Sequence, residues 1–209
     1  MSIAVRRSPM AAVHAGLGAR LEPRAGWEVV TSYGDEAAER SALREAVGMT
    51  DITPLGKVDV RGAIDGPLQR AAGGILARIT DDWALVFTDP GAEAELVSTM
   101  QEETRGSSVL VADVTHAYAG LAVAGPGLAD LCARLTSWDP ATLGSGEATG
   151  APFAEVRAVV LRPPGERPTL ELFVAAEYGR YVWETVSRVV GRLGGRPVGW
   201  NVLRAEGWR

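Results

Sequence analysis

The strand-like runs in this sequence come mostly in pairs between helices, not one per helix, and that ordering constrains the fold more than any other feature. Residues 156–161 and 170–174 are apolar and β-branched, and the turn-forming Arg162-Pro-Pro-Gly165 lies between them. Residues 108–112 and 121–124 are two more strand candidates, and 83–87 is a short apolar strand. At 57–61 polar and apolar residues alternate, which puts Val58 and Val60 on one face. Paired strands imply antiparallel hairpins, so the chain reads as α+β with antiparallel or mixed sheets and packed helices. Helices are predicted over 10–20, 36–47 with Gly48 as the stop, 90–103 opening at Pro90, and 201–206. After Gly125-Pro-Gly127 a helix carries Leu128, Leu131, Cys132 and Leu135 as its apolar stripe. The longest helix spans 178–193, with Tyr181, Val182, Thr185, Val189 and Leu193 along one side and Gly194-Gly195 at its end. Residues 22–28 and 140–150 read as loops. Residues 62–74 read as a glycine-punctuated connection too short for an ordinary crossover.

Composition narrows the chemistry. At 209 residues with 46% hydrophobic and 22% charged side chains, the chain can bury a core without a metal or a disulfide. One cysteine, Cys132, excludes an internal disulfide, and two histidines, His14 and His116, make a histidine-rich metal site improbable; no metal is expected. A net charge of −5 argues against nucleic acid as a partner. No apolar run approaches a membrane span and no secretory leader is recognisable, so a cytoplasmic protein with no membrane partner is expected. The whole of 1–209 is read as a single module, or as two lobes without a clear boundary.

Familiar catalytic motifs fail in turn. There is no G-x-x-x-x-G-K-S/T, and the only lysine, Lys57, lies in a strand. Gly144, Gly146 and Gly150 are spaced one residue too long for a dinucleotide loop and do not follow a strand. Asp113 and His116 lack a third ligand or a nucleophile, and Cys132 belongs to an apolar stripe.

Four segments carry a resemblance instead. They are Leu17-Gly-Ala-Arg-Leu-Glu-Pro-Arg-Ala-Gly-Trp-Glu28, Val47-Gly-Met-Thr-Asp-Ile-Thr53 running into Leu55-Gly-Lys-Val-Asp-Val-Arg-Gly62, Leu170-Glu-Leu-Phe-Val-Ala-Ala-Glu-Tyr178, and Val198-Gly-Trp-Asn-Val-Leu-Arg-Ala-Glu-Gly207. In this order they resemble the glycine cleavage system T protein (aminomethyltransferase) family. The run Ala77-Arg-Ile-Thr-Asp-Asp-Trp-Ala-Leu-Val86 is similar to sarcosine oxidase gamma subunits, which share that fold. The resemblance implies an aminomethyltransferase folate-binding-like fold, here without the C-terminal barrel domain of full-length transferases. It implies tetrahydrofolate as cofactor and one-carbon transfer as the activity, as a subunit or partner of a larger complex, with a further protein subunit or an oligomer expected. A stand-alone folate-dependent transferase or demethylase is one alternative, and a non-catalytic structural subunit is the other.

The resemblance also names residues. Glu171 matches the glutamate that receives the pterin N3–H and 2-amino group, a task that suits a carboxylate with two acceptor oxygens. Its strand neighbours Leu170 and Leu172 lie on the opposite face. Arg204 matches a family arginine near the ligand, with a salt bridge to Glu206 or another acid as the alternative. Trp27 and Tyr33 are candidate pocket walls, since flat rings stack on a flat pterin. The family's catalytic aspartate falls at Ala77 in the straightforward register, so no catalytic residue is assigned and glycine-cleavage-type aminomethyl transfer is expected to be absent. Asp81 and Asp82 read as a polar turn. Trp200 and Trp208, near the end of the sequence, are expected to need a partner to cover them.

Overall fold

The computed structural model describes residues 5–64 and 74–208. Most of the 62–74 connection therefore lies outside the described residues. Among those described, two sheets and a hairpin carry the architecture. The hairpin joins β1 (Arg20–Arg24) to β2 (Trp27–Ser32). Its turn, Ala25-Gly26, has both residues at positive φ, the primed geometry that suits the twist of paired strands. The segment read as a loop at 22–28 is thus a two-residue turn flanked by strands.

The larger sheet has the order β12-β3-β8-β11-β10-β9, where β3 is Gly48–Asp51, β8 Tyr118–Ala124, β9 Ala148–Phe153, β10 Val156–Leu161, β11 Thr169–Ala175 and β12 Arg196–Pro197. All its pairs are antiparallel except β12 with β3. The smaller sheet runs β5-β6-β4-β7, where β4 is Gly56–Arg61, β5 Ile75–Thr80, β6 Trp83–Thr88 and β7 Leu110–Asp113; it is antiparallel throughout. The hairpin logic of the sequence holds, with four strands added to the two sheets, β3, β5, β9 and the short β12. β3 begins at Gly48, which was read as a helix stop, β5 begins at Ile75, and β9 pairs with β10 through Ala154-Glu155. That turn again has two positive-φ residues but no glycine to announce it.

Helices α1 (Ala11–Gly16), α2 (Glu36–Glu45), α3 (Glu93–Glu103), α4 (Leu128–Leu135), α5 (Gly179–Arg192) and α6 (Trp200–Ala205) cover the sheets. Asp35 caps α2 by accepting the Ala38 N–H at 3.0 Å. Gly48 is not the stop of that helix: α2 ends at Glu45 with Ala46 as its cap, and Gly48 opens β3, pressed so close to Leu43 and Val198 that a Cβ would collide. On α5 the buried stripe is Val182, Trp183, Val186 and Val190, rotated from the expected face so that Tyr181 points to solvent. The α4 stripe is as read, with Leu131 and Cys132 buried.

Three apolar clusters follow. One lies on the α4/α5 side of the larger sheet and contains Leu121, Leu170, Leu172, Val174 and Trp183. A second fills the space between the two sheets with Ala77, Leu85, Phe87, Ala122, Leu161, Phe173, Trp27, Trp200 and Trp208. The third joins α3 to the outer face of the smaller sheet through Val58, Val60, Leu96 and Met100. Trp200 and Trp208 pack edge to face at 5.4 Å within the second cluster. The expectation that they need a partner is corrected here, because the fold itself covers both. Among the described residues no helix is long and apolar enough to cross a membrane.

Candidate functional site

Alternation along β11 builds the site. Leu170, Leu172 and Val174 enter the helix-side cluster, so Glu171 and Phe173 must point into the space between the sheets. Glu171 sits opposite Ala122 on β8 and Leu161 on β10, and it is wholly buried. A solvent-facing glutamate is ruled out by that burial. Burying a carboxylate is costly without donors, and one donor is the indole of Trp208, whose Nε1–H reaches Glu171 Oε1 at 2.9 Å.

Trp208 is brought there by the way α6 ends. The Gly207 N–H bonds the Arg204 carbonyl at 3.1 Å, and the Trp208 N–H bonds the Leu203 carbonyl at 3.2 Å. Gly207 stands at φ +90°. This is a Schellman ending, in which a left-handed glycine folds the next side chain back over the helix. The indole also walls a groove of about 770 Å³, along with Arg44, Ile75, the 163–169 segment, Leu203 and Glu206. At its rim the Glu206 carboxylate accepts from Arg40 (2.7 Å), Arg44 (2.9 Å) and Arg167 (2.9 Å). The Arg44 hydrogen bond is the main reason its carboxyl is held below the usual range; partial burial opposes it, and Arg40 and the charge of Arg167 add to the lowering.

The other expected residues distribute as follows. Arg204 lies outside, 3.2 Å from Asp89 and 4.9 Å above the Trp200 ring. It pairs with Asp89 and not with Glu206, since residues two apart on a helix do not face each other. Trp27 enters the inter-sheet cluster, stacked on the exposed His116 ring at 5.4 Å. Tyr33 packs against the helix-side cluster instead, so the fold does not bring it to the face that carries Glu171. Ala77 on β5 is buried in the inter-sheet cluster. Asp82 lies in the β5–β6 turn, where it accepts from Thr80 at 2.7 Å. The pKa of the Cys132 thiol is pushed up to about 12, mainly by burial, which disfavours the reactive thiolate.

Two buried polar groups carry no clear signal in the sequence. His14 on α1 bonds Asp51 through Nε2 at 2.8 Å, and the Tyr33 hydroxyl lies 3.0 Å from its Nδ1. A carboxylate only accepts, so Nε2 carries the proton. Burial pushes the Asp51 carboxyl up, but bonds from His14, Ser8 and Thr53, with the His14 charge, outweigh it and leave the carboxyl below its ordinary value. The second group is Lys57. Its Nζ donates to the carbonyls of Thr53 (2.7 Å) and Leu55 (2.8 Å) and lies 5.9 Å from the centre of the Phe173 ring. Burial lowers its pKa to about 7 against the opposing charges of Asp51, Asp113 and Glu93. Among the described residues no cluster of three or more His, Cys, Asp or Glu is placed to hold a metal ion.

Residues 70–208 match the GCVT N-terminal domain family. The chain belongs to that family. Among curated relatives of this GCVT N-terminal domain chain is the aminomethyltransferase of Saccharopolyspora erythraea, 28% identical over 93% of the chain and 60% of the relative. A shorter match, 31% identical over 56% of the chain and 33% of the relative, is to the aminomethyltransferase of Cutibacterium acnes. The chain thus spans about 60% of the length of the relatives it matches most fully. In structure it resembles the glycine cleavage system aminomethyltransferase T of Bartonella henselae, with a TM-score of 0.78 at 17% identity over 95% of this chain and 60% of that one. It also resembles a chain of the heterotetrameric sarcosine oxidase of Corynebacterium sp. U-96, with a TM-score of 0.68 at 17% identity, covering 93% of this chain and 99% of that one. The fold is therefore the α+β aminomethyltransferase-like fold that the four segments implied.

Proposed function

We propose that this chain binds tetrahydrofolate with its pterin edge at Glu171 and serves one-carbon transfer within a larger assembly. The observation that carries the reading is the wholly buried Glu171 carboxylate on the sheet face behind Trp208, the indole that bonds it and walls the 770 Å³ groove. A groove of this size falls within the roughly 300 to 1,000 Å³ of small-molecule sites. The chemistry of the side chain fits the group: a carboxylate has two acceptor oxygens, which match the paired N–H donors of a pterin, and the Trp208 indole shows that one of them accepts an aromatic N–H. At the rim, Arg40, Arg44 and Arg167 outnumber the acids Glu206 and Glu166, a balance that suits the carboxylates of a folate tail. When bound, tetrahydrofolate supplies the nitrogens that carry the one-carbon unit. The protein's part is to orient the pterin through Glu171 and to keep water from it with the aromatic and apolar inter-sheet cluster. Ala77 has no group to hold a proton or stabilise charge, so aminomethyl transfer of the glycine-cleavage type is not expected. The likeness to a chain of a heterotetrameric enzyme over nearly its whole length supports the assembly reading.

Calorimetric titration with tetrahydrofolate and 5-formyltetrahydrofolate tests this. Glu171→Gln keeps the shape but turns one acceptor into a donor, which should weaken binding by about 10- to 150-fold. Unchanged affinity in Glu171→Gln would refute the site. Absence of binding to the wild-type protein would favour a structural subunit.

A further inference from the structure

The inter-sheet face of β11 continues past Glu171 to a second hollow that the proposed folate site does not use. Its volume is about 370 Å³; Phe173 and Ala175 of β11 with Val159 and Arg157 of β10 form its floor, and Trp83 and Tyr118 wall it. We propose that this hollow is a separate small-molecule site for a zwitterionic aromatic compound of the amino-acid class. The ring enters among Trp83, Tyr118 and Phe173, while the carboxylate meets Arg157 and the ammonium meets Glu155. Ala175 lies four residues beyond Glu171, roughly 13 Å along a strand. The Phe173 ring, stacked on Phe87 at 4.1 Å, stands between them on the same face. The proposal is therefore independent of the reading of Glu171.

Three observations support it. The aromatic wall is held in place: Trp83 Nε1–H donates to Asp59 at 2.7 Å, and Arg61 lies 4.1 Å over the ring while bonding Asp59 at 2.9 Å. An indole fixed at its N–H and on one face loses little freedom when a second ring stacks beside it. The space itself is left by a missing side chain. Gly150 on β9 stands opposite Val159, and a Cβ there would meet only Ile79, at 3.8 Å. Its backbone is outside the left-handed region, so the strand does not require glycine at that position. The polar groups at the hollow are also uncommitted. Among the described residues Arg157 and Glu155 have no ion pair, and the Tyr118 hydroxyl has no hydrogen-bond partner. Burial, then the charge of Asp59 against that of Arg61, raises the pKa of Tyr118, so its hydroxyl stays protonated. One cation and one anion beside an aromatic hollow complement a zwitterion, whereas a simple anion would meet Glu155 and a simple cation Arg157. The volume lies at the lower end of the roughly 300 to 1,000 Å³ of small-molecule sites, which suits one or two fused rings with a short chain and not a whole folate.

The test is calorimetric titration of the intact protein with L-tryptophan, indole-3-propionate, tryptamine and L-leucine. The second lacks the ammonium, the third lacks the carboxylate and the last lacks the ring. L-tryptophan is expected to bind saturably, the two singly charged indoles about fivefold more weakly each, and L-leucine not at all. Gly150→Val fills the hollow with a good strand former and is expected to remove L-tryptophan binding while the thermal midpoint stays at or above that of the wild type. Arg157→Gln replaces an exposed side chain without an ion pair, and should weaken L-tryptophan about fivefold and leave tryptamine unchanged. Absence of saturable L-tryptophan binding up to about 10 mM would overturn the proposal. Binding that survives both Gly150→Val and Arg157→Gln would also overturn it, because the ligand would then sit elsewhere. Indole-3-propionate binding as tightly as L-tryptophan would defeat the assignment to a zwitterion.

Discussion

Glu39 on α2 is a buried carboxylate with no catalytic part in the proposed site, and its replacement by glutamine offers a sharp test of how the site is held. One oxygen accepts the Ser32 hydroxyl at 2.9 Å and the Tyr33 backbone N–H at 2.7 Å, and the other accepts the Gly199 N–H at 2.8 Å. The carboxylate thus ties α2 to the end of β2 and to the residue that opens α6, the helix that delivers Trp208 to Glu171. In Glu39→Gln one position must become NH₂. Whichever way the amide turns, that group faces a backbone N–H, Tyr33 in one orientation and Gly199 in the other. One charge-assisted bond is lost and a donor is left against a donor in a site that water does not reach. Bonds to charged acceptors contribute about 1.5 to 3 kcal/mol each, so the expected loss is about 2 to 4 kcal/mol. With a urea dependence of about 1 to 3 kcal/mol per molar, the unfolding midpoint followed by tryptophan fluorescence should fall by roughly 1 to 2 M at unchanged slope. A shift under about 0.5 kcal/mol would refute the account, because it would mean that both amides find other acceptors.

Gly199→Ala should be at least as damaging, about 2 kcal/mol or more, since its Cβ would run into the Thr31 carbonyl; the same urea series measures it. Gly207→Ala forces a side chain into the left-handed region and should cost about 1 to 2 kcal/mol, read as a lowered thermal midpoint. Asp51 has a depressed carboxyl, so it contributes stability above the ordinary carboxylate pKa of about 4 that is lost as pH falls below it. Asp51→Asn should therefore be less stable at pH 7 and show a flatter acid limb in urea midpoints taken between about pH 5 and 3. Cys132, buried and with its thiol near 12, should resist a bulky disulfide reagent at pH 8 until urea unfolds the chain.

What the sequence displayed, and what it concealed, follows from where each signal is stored. Strands β10 and β11 were legible because Pro163, Pro164 and Gly165 separate two β-branched runs; alternation set Glu171 on the face opposite Leu170 and Leu172, while its choice as a candidate came from the resemblance. Strand β9 was not, because its turn uses Ala154 and Glu155 at positive φ, where glycine or asparagine is the usual marker. The α5 face was misjudged because Trp183, an aromatic residue flanked by Val182 and Glu184, draws the buried stripe toward itself through its edge contact with His14 at 4.6 Å. The His14–Asp51–Tyr33 network joins three separate segments, and no local pattern records a contact made only in space. The role of Trp208 was hidden for a related reason. In the sequence it is an aromatic beside a glycine, and only the backbone bonds of Gly207 and Trp208 turn it inward.

The two-sided character of β11 has a consequence for how this protein can change over generations. Its even-numbered side chains belong to one apolar cluster and its odd-numbered ones to another, so gain or loss of a single codon within the strand would exchange the two sets. Glu171 would be driven among Leu121 and Trp183, and a leucine would take its place between the sheets. Selection for folding alone therefore protects the position of the carboxylate, whether or not its ligand is present. Length variation is free to accumulate in the proline-rich connection at 162–168, which borders the groove and can reshape its mouth without moving the floor.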